Sequence, residues 1–105
     1  MKEVTVQELK AMRDSKKDHQ LIDVREMHEL EICQIGGEHI PMGDVMNQVA
    51  KISKDKPVII HCRSGARSGT VINILEKEFG FTNLYNLKGG ILAYADQIDT
   101  SLQKY

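Results

Sequence analysis

Pro57-Val58-Ile59-Ile60-His61-Cys62-Arg63-Ser64-Gly65-Ala66-Arg67-Ser68 decides the fold of this chain, because an apolar run leads straight into a short Gly-containing loop and then into a helix-patterned segment. Val58 to His61 predicts a buried strand led in by Lys56-Pro57. Ser68 to Phe79 carries Val71, Ile72, Leu75 and Phe79 as an apolar stripe, and Gly80 stands where a left-handed C-cap glycine belongs. Cys62 then sits at a strand's end, in a tight turn beneath a helix N-terminus. Such a turn aims several backbone N–H groups at one point, and the helix end adds partial positive charge, so an anion or thiolate is stabilised there. Cys62 is therefore expected to be an acidic, nucleophilic thiol that solvent can reach, and Arg63 and Arg67 to hold an oxyanion and depress the thiol pKa further. A structural strand-end cysteine is the competing reading, but burial alone requires neither Gly65 nor the two cations.

Outward from this loop, the remaining pattern alternates strand and helix. Thr5-Val6-Gln7-Glu8 reads as a capping box that opens a helix through Leu9 and Met12, a cover for the sheet. Gln20 to Val24 is a short buried strand, and Glu26 to Ile32 carries Met27, Leu30 and Cys33 at helical spacing. His39-Ile40-Pro41 is a very short strand stopped by proline, followed by a helix with Val45, Val49 and Ile52 on one face. Leu84 to Leu87 is a last strand, Gly89-Gly90 a turn, and Ile91 to Ile98 a final helix. This order predicts an α/β domain spanning residues 1–105, with a mostly parallel central sheet flanked by helices on both faces. Ligands of such sheets sit at the carboxyl ends of the strands, where Cys62 falls.

Bulk properties narrow the function. With 105 residues the chain suits one domain, and 14 Lys+Arg against 15 Asp+Glu leave a net charge of −1 and no basic surface for nucleic acid. No run approaches the ~18 apolar residues of a membrane span, and Met1 to Val6 lacks an apolar leader core, so the expectation is a cytoplasmic protein with no membrane partner. Cys33 and Cys62 fit neither a disulfide framework nor a zinc site; a single redox bridge between them stays open at this level. His19, His28, His39 and His61 are scattered, and neither a metal nor an organic cofactor is expected.

A cysteine cradled by amides serves two chemistries, sulfur transfer through a persulfide and phosphoryl transfer through a cysteinyl-phosphate. The phosphatase loop resembles His-Cys-x-x-Gly-x-x-Arg-Ser, one residue longer between Cys and Arg than the stretch Arg63 to Ala66. The tighter loop encloses a volume suited to one extra sulfur rather than a phosphoryl group, which disfavours phosphate-ester or arsenate chemistry.

Four segments in order, Leu21-Ile22-Asp23-Val24-Arg25-Glu26, Ile35-Gly36-Gly37-Glu38-His39-Ile40-Pro41, Pro57 to Ser68, and Leu87-Lys88-Gly89-Gly90-Ile91, resemble the rhodanese family of sulfurtransferases over nearly the whole chain. The resemblance implies a rhodanese-like fold in which Cys62 is the catalytic position that carries the persulfide, and in which the loop Arg63, Ser64, Gly65, Ala66, Arg67 and Ser68 binds substrate. It matches Asp23 and Arg25 to a strand-end pair, read as mainly structural, and puts Tyr94 where a tryptophan is common. It implies thiosulfate or another small-molecule sulfur donor, such as a persulfide or polysulfide, and a thiol, cyanide or sulfur-carrier protein as acceptor. Glu31 to Ile35 and Ile91 to Asp99 further resemble the rhodanese domains fused to adenylyltransferases that activate sulfur carriers. In that comparison Cys33 is a core-facing residue. A non-enzymatic sulfur carrier or partner-binding module would share the same persulfide.

Overall fold

Val58, Ile59, Ile60 and His61 are all buried to 1% exposure or less, as expected of a strand covered on both faces. The computed structural model describes residues 1–105. In it this strand, β4 (Val58–His61), is the middle of a sheet that also contains β1 (Glu3–Val4), β2 (Gln20–Asp23), β3 (Glu38–His39) and β5 (Leu84–Leu87). The order is β1-β5-β4-β2-β3, and every neighbouring pair is parallel. The pairs Leu21 with Ile59 and Ile22 with Ile60 set the register between β2 and β4.

Side chains alternate across the sheet, and two cores result. Ile22, Val58, Ile60, Cys62 and Leu84 face α3 (Ala66–Phe79) and two 3-10 segments, Met42–Asn47 and Val49–Lys51. Leu21, Ile59 and Leu87 face α1 (Val6–Asp14), the end of α2 (Met27–Ile32), and α4 (Gly90–Gln97). The α/β architecture, with helices on both faces, is thus the one the sequence predicts, with a sheet that is parallel throughout. No helix is long and apolar enough to cross a membrane.

The capping box at Thr5 forms as expected: Glu8 N–H donates to Thr5 Oγ1 at 3.1 Å and Thr5 N–H to Glu8 Oε1 at 2.9 Å. Gly80 caps α3 with a φ of 70°. Four local expectations change. The two-residue edge strand β1 is not foreseen, because its pairing with β5 has no periodicity to announce it. The helix expected through Val45, Val49 and Ile52 is two 3-10 segments, and Val45 and Ile52 still point inward.

In α2 the expected apolar stripe holds only in part: Cys33 at its end is in the core, Leu30 is half-buried, and Met27 turns outward. Met27 is 61% exposed, and Glu29 is the buried residue of the helix, for an electrostatic reason described below. At the end of α3, Phe79 is 37% exposed, while Phe81 at 3% fills the core after Gly80 reverses the chain. Cys33 and Cys62 are both free, buried and in different cores on opposite faces, which excludes a bridge between them in this fold.

The two phenylalanines therefore differ in energetic weight. Phe81→Ala is expected to lower unfolding free energy by about 3 kcal/mol or more, and Phe79→Ala by less than about 1 kcal/mol, in urea denaturation with unchanged m-value. Equal losses would contradict the assignment of Phe81 to the core.

Candidate active site

Four residues, Cys62 to Gly65, carry the chain from the end of β4 to the first turn of α3. Gly65 makes the turn at φ 110°, a left-handed conformation that side chains resist. The loop's polar groups are sorted by direction. Its carbonyls are taken from one side by α4, whose Ile91 N–H donates to Cys62 O at 3.0 Å and Leu92 N–H to Arg63 O at 3.1 Å. That approach requires Gly90: a Cβ there would lie 2.3 Å from Arg63 O. On the other side, loop and helix N–H groups face the sulfur. Gly65 N–H donates to Cys62 Sγ at 3.1 Å and Ser68 N–H at 3.5 Å.

Burial by itself pushes the Cys62 thiol pKa up. The Ser68 hydroxyl and the main-chain N–H groups of Ser68, Gly65 and Ser64 outweigh it, and the net shift is downward. Ser68 Oγ lies 3.4 Å from Sγ but also 2.6 Å from Asn86 Oδ1. Asn86 Nδ2 donates to Gly65 O at 3.0 Å, which turns its Oδ1 toward Ser68 as an acceptor. A hydroxyl has one proton, and the shorter contact claims it. The main-chain amides are then the steady donors to sulfur.

The expectation of a solvent-reachable thiol is not met in this conformation, since Cys62 is only 1% exposed. Its sulfur lies at the floor of the loop. The cover is thin: Arg63, Ser64 and Ala66 are exposed and Gly65 partly so. Any reagent reaching the Cys62 sulfur has to pass between these residues.

The two loop cations also differ from expectation. Arg67 is not free to face a ligand: its Nη1 and Nη2 donate to Glu29 Oε2 and Oε1 at 2.7 and 2.8 Å. Arg63 donates through Nε to the main-chain oxygen of Tyr105 at 2.7 Å, and its guanidinium stands 5.0 Å from the Tyr105 ring centre. Arg67, helped by its proximity to Glu29, is held firmly protonated. The same contact keeps the Glu29 carboxyl well below the usual carboxylate range.

Behind this pair lies a buried hub. Arg25, fully buried, donates to Asp23 from Nε at 3.0 Å and Nη2 at 2.8 Å, to Cys33 O at 2.8 Å and to Tyr105 Oη at 3.0 Å. The structural role expected of Asp23 and Arg25 fits these contacts. His61 is equally buried, and burial holds its imidazole below the ordinary value against the pull of Asp23. Its Nε2 lies 3.6 Å from Asp23 Oδ2 without a hydrogen-bond partner, because Arg25 already occupies that carboxylate.

The structure therefore brings Cys62, Gly65 and Ser68 together as expected and turns Arg63 and Arg67 toward protein partners. Sequence reasoning misses Glu29, Asn86 and Tyr105. A signal existed for Asn86, an amide at an inward position of the apolar strand Leu84–Leu87.

Comparisons with known proteins agree with this geometry. The family model of the rhodanese-like domain matches residues 5–97. The uncharacterized protein YqhL of Bacillus subtilis (strain 168) is 38% identical over 99 residues, 93% of this chain and 75% of that protein. The probable adenylyltransferase/sulfurtransferase MoeZ of Mycobacterium tuberculosis (strain H37Rv) is 31% identical over 105 residues, 97% of this chain; the chain spans only 26% of that protein's length. A crystal structure of a rhodanese-like domain protein from Staphylococcus aureus superposes with a TM-score of 0.83 at 29% identity, covering 100% of this chain and 99% of that one. With the loop, the sheet order and the match along 5–97 in agreement, the chain belongs to the rhodanese-like domain family and is homologous to sulfurtransferase domains.

Proposed function

We propose that this protein is a sulfurtransferase that carries sulfane sulfur on Cys62. The observation that carries this reading is the cysteine sulfur receiving main-chain N–H groups from Gly65 and Ser68 at the start of a 14-residue helix. Such an arrangement stabilises a thiolate before the reaction and an anionic persulfide after it, at no cost in reorganisation. The Cys62 thiolate attacks the outer sulfur of the donor; a bond forms between Sγ and that sulfur, and the donor's own bond to it breaks. The electron pair leaves with the donor remnant, sulfite from thiosulfate or a thiolate from a persulfide. In the second half the terminal sulfur passes to a thiol, cyanide or a sulfur-carrier protein, and Cys62 regains its thiolate. Atoms and electrons balance without a metal or organic cofactor.

In this mechanism Cys62 is the nucleophile, and the amides of the loop Arg63 to Ser68 hold the transferred sulfur. The resemblance to MoeZ, a probable adenylyltransferase/sulfurtransferase, supports a protein acceptor of the sulfur-carrier type.

After incubation with thiosulfate or polysulfide, the intact mass should rise by one sulfur atom, and Cys62→Ser should gain none. Equal gain in the variant would defeat the assignment. Because Cys62 lies at the loop floor, native-state alkylation by iodoacetamide tests access: labelling at that position is expected, and labelling only after unfolding would contradict the nucleophile role.

The pH dependence of that alkylation should give a midpoint below the free-thiol value of about 8.5. Ser68→Ala should leave the midpoint below that value, because the amides of Gly65 and position 68 still face the sulfur and Asn86 Oδ1 already claims the hydroxyl proton. A rise to the free-thiol value would move the credit to Ser68 Oγ.

A further inference from the structure

The carboxylate of Glu29 lies at the same mouth as Cys62 yet takes no part in the chemistry above. It is 5% exposed, and four hydrogen bonds converge on its two oxygens. Arg67 supplies both ends of its guanidinium fork, at 2.7 and 2.8 Å; Tyr105 Oη donates to Oε1 at 2.8 Å; and Glu26 N–H donates to Oε2 at 2.8 Å. The carboxylate is pinned from three sides and cannot swing away from Arg67. Arg67, in turn, directly precedes Ser68, whose N–H reaches the Cys62 sulfur, and its side chain is 34% exposed. The cation best placed to meet a donor's oxyanion is thus already neutralised.

Resting on the sulfurtransferase reading, we infer that Glu29 is a specificity-determining residue that sets the donor class: by pairing with the Nη1–Nη2 edge of Arg67 it disfavours doubly charged donors bearing an oxyanion and leaves persulfides, which carry no oxyanion group, favoured. A bidentate carboxylate uses the same fork geometry that a sulfonate-like group needs. For thiosulfate to take the Nη1–Nη2 edge of Arg67, the existing pair must break, leaving the buried carboxylate only its Tyr105 and Glu26 donors, and a dianion at any other edge of Arg67 must approach that same negative charge. A persulfide has no oxyanion group to seat and needs no such exchange. Its outer sulfur interacts with the amides around Cys62, and the leaving thiolate takes the electron pair of the broken sulfur–sulfur bond.

The test compares kcat/KM for thiosulfate and for mercaptoethanol persulfide, read by sulfite and thiol release. Wild-type protein should favour the persulfide, with a thiosulfate KM that depends less on ionic strength than that of Glu29→Gln. Glu29→Gln frees Arg67 while keeping the side chain's size, and should raise the thiosulfate-to-persulfide ratio by about tenfold or more, chiefly through a lower thiosulfate KM that now rises with salt. Glu29→Asp, which retains the charge, should keep the ratio on the wild-type side.

A ratio unmoved in Glu29→Gln, or equal losses with both donors, overturns the inference. If that variant does not fold, a wild-type kcat/KM for thiosulfate equal to or above that for the persulfide overturns it instead. The underlying reading fails separately: its failure is the absence of sulfur on wild-type Cys62 with either donor.

Discussion

Every N–H around the Cys62 sulfur has to be released from ordinary pairing and aimed inward, and a turn of four residues achieves this only because its carbonyls are held from outside. The first amides of α4 take the carbonyls of Cys62 and Arg63, and Asn86 takes that of Gly65. With the oxygens tied down, the N–H groups of Gly65 and Ser68 have one direction left. The Gly89-Gly90 turn, far along the chain, is therefore part of the site. Gly90, with φ 62°, lets α4 approach the loop so closely that no side chain fits between them.

Sheet topology explains why a second group of charges gathers beside this loop. β2 and β4 are adjacent, but the chain leaves them in opposite directions, toward β3 from one and toward β5 from the other. Such a switch point opens a crevice at the strands' carboxyl ends. Asp23 ends β2, with Arg25 and then Glu29 of α2 following it; Cys62 follows β4, and Arg67 stands in the first turn of α3. Burying the Asp23–Arg25 pair carries a desolvation penalty that Coulomb attraction alone does not reliably offset. Here Arg25 also bonds Cys33 O and Tyr105 Oη, so its donors are distributed over the end of α2 and the end of the chain. The pair thereby fixes where α2 lies, and with it the position of Glu29.

Local patterns in the sequence carry the parts of the fold that local physics decides. Val58 to His61, the glycine turn and the stripe through Leu75 are legible because burial on two faces, a left-handed turn and helical spacing each leave a residue signature. The capping box at Thr5 is legible for the same reason. The edge strand Glu3–Val4 is not, since two residues form a strand only because β5 offers them an open edge. In α2, hydrophobic spacing points to Met27 and Leu30 as the inner face, but ion pairing with Arg67 and hydrogen bonding to Tyr105 bring Glu29 inward instead. Those partners lie 38 and 76 positions away, beyond the reach of any periodicity. The same distance hides the engagement of Arg67: its residue type suggests an anion ligand, and only the fold reveals that an anion is already there.

That engagement bears on which chemistry the loop suits. Phosphoryl transfer places several formal negative charges on the transferred group and relies on cationic clamps to hold them. In this site the arginine nearest the amide cradle is neutralised by Glu29, and what faces the sulfur is a set of neutral dipoles. Partial charges of this kind stabilise a thiolate or an anionic persulfide. The short span from Cys62 to Arg67 limits the volume of the cradle, and the Glu29 pair limits its charge. Both limits are consistent with the proposed function, in which the cradle takes a single additional sulfur atom.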